Sequence, residues 1–427
     1  MGNPLKVAII GAGSTYTPEL MEGIIKRKSA LPLRELALMD IDEEKLRIVG
    51  GLCERMAAAA GLHVRVVMTQ QLDEALRGAD FVLGQIRVGK LPARVLDEQI
   101  PLKYGMIGQE TCGIGGFFKA MRTIPVMLDI AARMETLCPD AWLINFSNPA
   151  GIITEAMLNH TKVKMLGLCN VPFNMFKSIR EALSLPDAEF TYVGLNHLSW
   201  ITAIEHHGQD YLEKALEQGL NSESMKNIPS SGFSKELIQA LKAIPSSYLE
   251  YYYFKNKKLQ LLQNSERSRG ETCLQIEKEL LGIYADAELH IKPELLASRG
   301  GANYSEVAIS LVDAIANDKQ EKHVVNVLNQ GALPFMEHTD AVEVSAIVGK
   351  DGAKPLQLPG FDNRHIIDYM RMVKAYERET VTAAINGDEA AAIRALLMNP
   401  LVGDYDAALA CFEELKRAHQ AYLPQFG

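Results

Sequence analysis

Two residue types stand out for the chemistry they could share. Cys169 lies in GLCNVP, directly after the apolar run 163–168, and His197 lies 28 residues further on in GLNHLSW. Both stand where a strand would hand over to a loop. Thiolate and neutral imidazole are each metal ligands, and two of them are too few to close a structural site. Such a pair would leave the open positions that a catalytic metal needs. A competing reading makes Cys169 a buried, apolar-like thiol and His197 a hydrogen-bonded core residue.

Other groups invite chemistry in the same two-sided way. IPSSYLEYYYF (244–254) carries Tyr248, Tyr251, Tyr252 and Tyr253, which suit a base or a stacking surface but equally a core. Their alternation with Glu250 also fits a half-buried strand. Arg267 and Arg269 could clamp a phosphate or carboxylate, or simply be solvated. Glu110 and Cys112 sit in the glycine-rich GQETCGIGGF with no role assigned. His206 and His207 read as solvent-facing residues of a turn.

The elements that would position these groups begin with KVAIIGAGSTYTPEL, a short buried strand, a glycine turn and a helix start. Gly11 and Gly13 fill the first two glycine positions of the dinucleotide fingerprint, one for the tight turn and one for close approach of a pyrophosphate. Tyr16 stands where the third glycine would be. The turn residues Gly11, Gly13, Ser14 and Thr15 are the candidate cofactor-binding segment. ELALMD follows as a second strand ending in Asp40, placed to bond the adenosine ribose hydroxyls. Its charge would repel a 2′-phosphate, so NAD is expected over NADP.

Further strand-like runs occur at HVRVVM, DFVLGQIR, AWLINF and VKMLGL, mostly with helical segments between them. Alternation of this kind predicts an α/β fold, a Rossmann-like, doubly wound parallel sheet. Ligands in such sheets sit at the carboxyl ends of the strands. Arg87 and Arg94 are expected after the fourth strand, Asn145 and Asn148 after the fifth, and GLCNVP after the sixth. Asn148 precedes a proline that suits a cis bond.

The second half reads less clearly. Segments 233–243, 303–317, 366–386 and 403–418 have helical spacing of apolar residues, and 266–281 suggests an amphipathic helix with a basic entry. GLNHLSWITAIEHHGQDYL suggests a strand or hairpin, HVVNVLNQGALP one more strand and turn, and 221–234 a surface excursion. The expected organisation is an NAD-binding domain over 1–195 and an α+β substrate-binding and oligomerisation domain over 196–427.

At 427 residues the chain is long enough for two domains with large cores. Its net charge of -9 argues against nucleic acid or an anionic membrane as a partner. No apolar run approaches the roughly 20 residues of a membrane helix. MGNPLKVAII lacks a signal-peptide pattern. Six scattered cysteines suit reduced thiols, so a soluble, cytoplasmic protein is expected.

Taken together, IIGAGSTYTPEL, QIRVGKLPARVLDEQIPLKYGMIGQETCG, NFSNPAGI, GLCNVP, GLNHLSW and SYLEYYY resemble the NAD-dependent glycoside hydrolases of family 4 over most of the chain. Tyr16 is usual in that family. The resemblance implies that Cys169 and His197 hold a divalent metal, typically manganese, and that Tyr248 is the general base. It implies that Arg94, Asn148 and Arg269 contact a sugar phosphate. Members acting on α-linked phosphosugars carry Asp after the metal-binding cysteine. Asn170 stands there instead, as in 6-phospho-β-glucosidases, and leaves the proton donor to the leaving group unassigned. A homodimer or homotetramer is also implied.

The implied reaction explains the unusual residue set, which differs from that of glycosidases built on two carboxylates. Oxidation at sugar carbon 3 acidifies the proton on carbon 2; its removal expels the group on carbon 1, water adds, and the hydride returns. Two rivals stand beside it. One is a 2-hydroxy acid dehydrogenase of the malate or lactate type, which would pair a catalytic His with an Asp. The other is a non-catalytic NAD-sensing regulator.

Overall fold

The structure is a computed structural model that describes residues 4–221, 232–300 and 304–426. Most of the expected excursion 221–234 lies outside the described residues, as does the first residue of the expected helix 303–317.

Six parallel strands form the frame: β1 (Leu5–Ile10), β2 (Leu33–Met39), β3 (Arg65–Thr69), β4 (Phe81–Gly84), β5 (Trp142–Asn145) and β6 (Lys164–Gly167). Their order across the sheet is β6-β5-β4-β1-β2-β3, the doubly wound arrangement whose order reverses beside β1 and β4. The interior strands are apolar runs because helices cover both faces; in β1, five of six residues are buried. Helix starts follow local chemistry. Asp42 caps the helix Glu43–Ala59 by accepting a hydrogen bond from the Lys45 amide at 3.1 Å, worth about 1 kcal/mol.

The sheet does not end at β6. After some 150 residues the chain returns as β11 (Glu321–Leu328), β12 (Ala341–Gly349) and β13 (Gly352–Pro355), all antiparallel additions that extend the sheet to nine strands. A second, antiparallel sheet contains β7 (Glu189–Leu195), β8 (Leu198–His206), β9 (Gln209–Asp210) and β10 (Ile244–Pro245). The expected division after Leu195 therefore falls inside the β7–β8 hairpin. One apolar cluster runs through both sheets, from Val7 in β1 through Trp200 in β8 to Phe412 in the helix Tyr405–Ala418.

One expectation is corrected by the backbone. The tyrosine segment is not a strand: Leu249–Tyr253 is a short helix with Tyr248 at its cap, and the Tyr251 amide donates to the Tyr248 carbonyl at 3.1 Å. Alternation over so few residues fits either period, and Ile244 and Pro245 alone pair with β8. The helix expected over 266–281 forms as Arg269–Tyr284, its start set three residues later by a capping box between Ser268 and Glu271.

Candidate active site

A cleft of about 780 Å³ opens at the carboxyl ends of the parallel strands. At one end lies the glycine turn after β1. Gly11 has φ +90°, and a Cβ there would stand 2.9 Å from the Gln85 carbonyl oxygen. A Cβ on Gly13 would meet the Asp40 carboxylate, which accepts the Gly13 amide at 2.8 Å and the Asp42 amide at 2.9 Å. Gly11, Gly13, Ser14 and Asp40 all line the cleft. Thr15 does not; it is fully buried beneath the turn, where its hydroxyl accepts from Arg299 and its carbonyl from the Tyr284 hydroxyl at 2.8 Å. The Tyr16 ring lines the cleft with the Arg299 guanidinium 5.1 Å from its centroid, and burial pushes its phenol up to about 12.

The other end carries the thiol and the imidazole. Cys169 follows β6 by two residues, and His197 occupies the two-residue turn between β7 and β8 in the left-handed region at φ 65°. Their side chains meet, with 3.6 Å between Cys169 Sγ and His197 Nε2, and both residues are 3% exposed. A thiolate and an imidazole bound to one first-row ion at about 2.3 and 2.1 Å, with a tetrahedral angle between them, would also stand about 3.6 Å apart. Burial pushes the imidazole down to about 3, which keeps it in its neutral, ligating form. His197 Nδ1 is buried without a hydrogen-bond partner among the described residues. The donor set and spacing fit a divalent ion. Among the described residues no third His, Cys, Asp or Glu joins them, so such a site would be open.

Tyr248 lies flat against His197, with ring centroids 3.8 Å apart and planes 9° from parallel. Burial, and next the nearby Cys169, raise its phenol well above the usual range. Asn148 and Asn170 complete this end of the lining, and the Asn148–Pro149 bond is cis.

Between the two ends sits a buried charge cluster that the sequence alone does not disclose. Glu110 receives Arg87, Lys119 Nζ at 2.8 Å and Arg94 Nη1 at 2.9 Å. Burial pushes its carboxyl up, but the three cations outweigh that and hold it well below the carboxylate range. Arg94 is further fixed by Glu98 at 2.7 Å, while the other Glu98 oxygen accepts the Gly270 amide at 2.6 Å. Lys119 and Arg299 have no sequence signal: one lies mid-helix in GGFFKAMR, the other arrives from nearly 300 residues away. Cys112 is buried at the start of the helix Gly113–Leu137.

Arg269 does not line the cleft; it opens the helix Arg269–Tyr284 and donates to the Ser298 carbonyl at 2.9 Å. Arg267 is exposed, and so is His207, at the tip of the β8–β9 hairpin. The geometry thus gathers Arg94, Asn148, Asn170, His197 and Tyr248 beside the dinucleotide turn and leaves Arg269 outside.

Residues 6–185 match the family 4 glycosyl hydrolase domain and residues 192–402 its C-terminal domain. The chain belongs to glycosyl hydrolase family 4. Within it, the chain is 43% identical to a probable 6-phospho-beta-glucosidase of Bacillus subtilis, over all of this chain and 99% of that one. It is 42% identical to the Escherichia coli 6-phospho-beta-glucosidase, over all of this chain and 98% of that one. The Thermotoga maritima 6-phospho-beta glucosidase, solved with manganese, NAD+ and glucose-6-phosphate, superposes with a TM-score of 0.89 at 33% identity, covering 98% of this chain and 99% of that one. The cleft runs from the glycine turn to His197, and Cys169 touches that imidazole without lining the cleft.

Proposed function

We infer that this chain hydrolyses 6-phospho-β-glucosides to glucose 6-phosphate, using NAD and a divalent metal, manganese by preference. The observation that carries the reading is the buried Cys169–His197 pair with Tyr248 stacked on it, at the end of a cleft that begins at a dinucleotide turn. A malate- or lactate-type dehydrogenase would need an acid beside its histidine; His197 faces a thiol. Full-length likeness to 6-phospho-beta-glucosidases, and Asn170 in place of a carboxylate, favour the β-linked phosphosugar.

When bound, NAD would supply reversible hydride acceptance at sugar carbon 3, and a divalent ion held by Cys169 and His197 would supply Lewis acidity that favours a carbon 3 ketone and lowers the pKa of a neighbouring phenol. Gly11, Gly13, Ser14 and Thr15 shape the turn that takes the pyrophosphate, and Asp40 receives the ribose hydroxyls. Cys169 and His197 hold the ion. Tyr248 Oη takes the proton from carbon 2, and expulsion of the aglycone follows. Arg94, Asn148 and Asn170 hold the phosphosugar, and Glu110 pins the guanidinium of Arg94 in place. The enzyme is read as a cytoplasmic homodimer or homotetramer. Six free, buried cysteines support the compartment, and exposed apolar residues such as Leu397 and Met398 support assembly.

The test is release of nitrophenol from p-nitrophenyl 6-phospho-β-glucoside, with the α-anomer and the unphosphorylated β-glucoside alongside. Release from the phospho-β substrate alone, dependent on NAD and manganese and without NADH accumulation, is expected. Steady NADH formation on 2-hydroxy acids with no nitrophenol release would overturn the assignment.

A further inference from the structure

The turn that carries His197 is held from below by a carboxylate far away in sequence. Glu343, in the middle of β12, is 1% exposed, and its Oε1 accepts from Asn196 Nδ2 and from Asn326 Nδ2, each at 3.0 Å. Its Oε2 accepts from the Tyr192 hydroxyl at 2.9 Å, and Tyr192 lies 2.5 Å from the Ser199 hydroxyl. Asn196 is the other residue of the β7–β8 turn, directly preceding His197. Asn326 pairs in register with Gly167, two residues before Cys169. A Cβ on Gly167 would stand 2.9 Å from Asn326 Cβ, so the approach is close. One carboxylate oxygen thus ties the turn that presents His197 to β11, the strand paired with the end of β6 that leads into Cys169.

The arrangement is costly for the fold alone. Among the described residues Glu343 has no cationic partner, and three neutral donors only partly replace lost hydration. Burial accordingly pushes its carboxyl up despite the hydrogen bonds from Asn196, Tyr192 and Asn326. A residue needed only for packing here would be apolar, like Val342 and Val344 on either side of it in β12 and Val325 and Val327 beside Asn326 in β11. His197 also sits at a left-handed φ, a conformation that a non-glycine residue adopts at some cost.

We propose that Glu343 is a positioning residue: through Asn196 and Asn326 it holds the Cys169 and His197 segments at the separation that a shared divalent cation requires. This rests on the metal reading given under Proposed function. Partners of this kind behind metal ligands typically change metal affinity by about 10- to 100-fold when removed.

The experiment is titration of the purified protein with Mn2+, followed by the paramagnetic resonance of the free ion, with NAD affinity measured calorimetrically on the same samples. Glu343→Ala should weaken Mn2+ binding about 10- to 100-fold and leave NAD affinity unchanged. Glu343→Gln should recover most of the loss, because its amide oxygen can still accept from both asparagines. Should Glu343→Ala fail to fold, Asn196→Ala at its half-buried position is read instead, with a loss of at least about tenfold expected. Wild-type Mn2+ affinity in the variant read would overturn the proposal, as would a parallel fall in NAD affinity, which would indicate general loosening. A wild-type protein that binds no Mn2+ would overturn the metal reading itself, and is thereby told apart from a failure of Glu343.

Discussion

Cys169, His197 and Tyr248 are all buried, yet the proposed chemistry asks for anions at Cys169 and Tyr248 and a neutral ring at His197. Burial alone serves His197, whose imidazole is already pushed down to about 3 and so is neutral at working pH. The same burial works against Tyr248, whose phenol it raises well above the ordinary value, so ionisation there requires a neighbouring cation. The two residues should therefore fail differently when altered. Tyr248→Phe should lower kcat by about 10²- to 10⁴-fold, the usual contribution of a general base. In a single turnover it should still form NADH from the phosphosugar but release no nitrophenol. Cys169→Ser should form neither product, bind manganese far more weakly and retain NAD affinity. Stopped-flow absorbance at the NADH and nitrophenol bands separates the two, and identical traces from both variants would count against these roles. The cysteine and histidine stand out in the sequence as candidate ligands, but spacing leaves a core role open and only the family resemblance pairs them. Lys119 and Arg299 were not, because a buried cation reveals itself only through partners brought close by the fold.

Among the elements, the strands of the nucleotide fold were readable because buried parallel strands are short apolar runs set off by glycine turns. The return of β11 to β13 was only partly so. HVVNVLNQGALP shows a strand, but nothing local says that Asn326 will lie opposite Gly167. Two helices of that region meet in a buried seam whose charge has a measurable consequence. Lys374 lies between Glu377, on its own helix Arg364–Asn386, and Glu155 of the helix Ala150–His160. Burial, opposed by Lys374 and reinforced by Glu155, pushes the Glu377 carboxyl from 4.5 up to about 7. Between those values the folded protein keeps a proton that the unfolded chain has released. Stability from this group is therefore complete below pH 4.5 and lost by pH 7, a span of roughly 3 kcal/mol. Glu377→Gln cannot titrate, so its melting temperature relative to wild type should be higher at pH 8 than at pH 5. Parallel melting profiles across that range would contradict the shift.

For the molecule as a whole, the matched family domains meet between residues 185 and 192, but the interactions that complete the site cross that line. β7 pairs along its length with β8, from Glu189 opposite Glu205 to Leu195 opposite Leu198. Cutting at 195 would strip that partner from Phe190, Tyr192 and Val193, all buried in the intact chain. It would also strip the helix Arg364–Asn386 and β11–β12 from the helix Ala150–His160, exposing to water the apolar area they cover at about 25 cal/mol per Å². Domains of this size are stable by only about 5–15 kcal/mol, so these losses reach the whole margin. The fragment 1–195 contains every residue assigned to NAD, yet it should fail to melt cooperatively, bind NAD at least about tenfold more weakly than the full chain, and associate through its bared strand edge. Calorimetry and light scattering on the purified fragment check this. A monomeric fragment with a sharp transition and full NAD affinity would mean that the nucleotide half holds its own fold, and that the later strands serve only to bring His197 and Tyr248 to it.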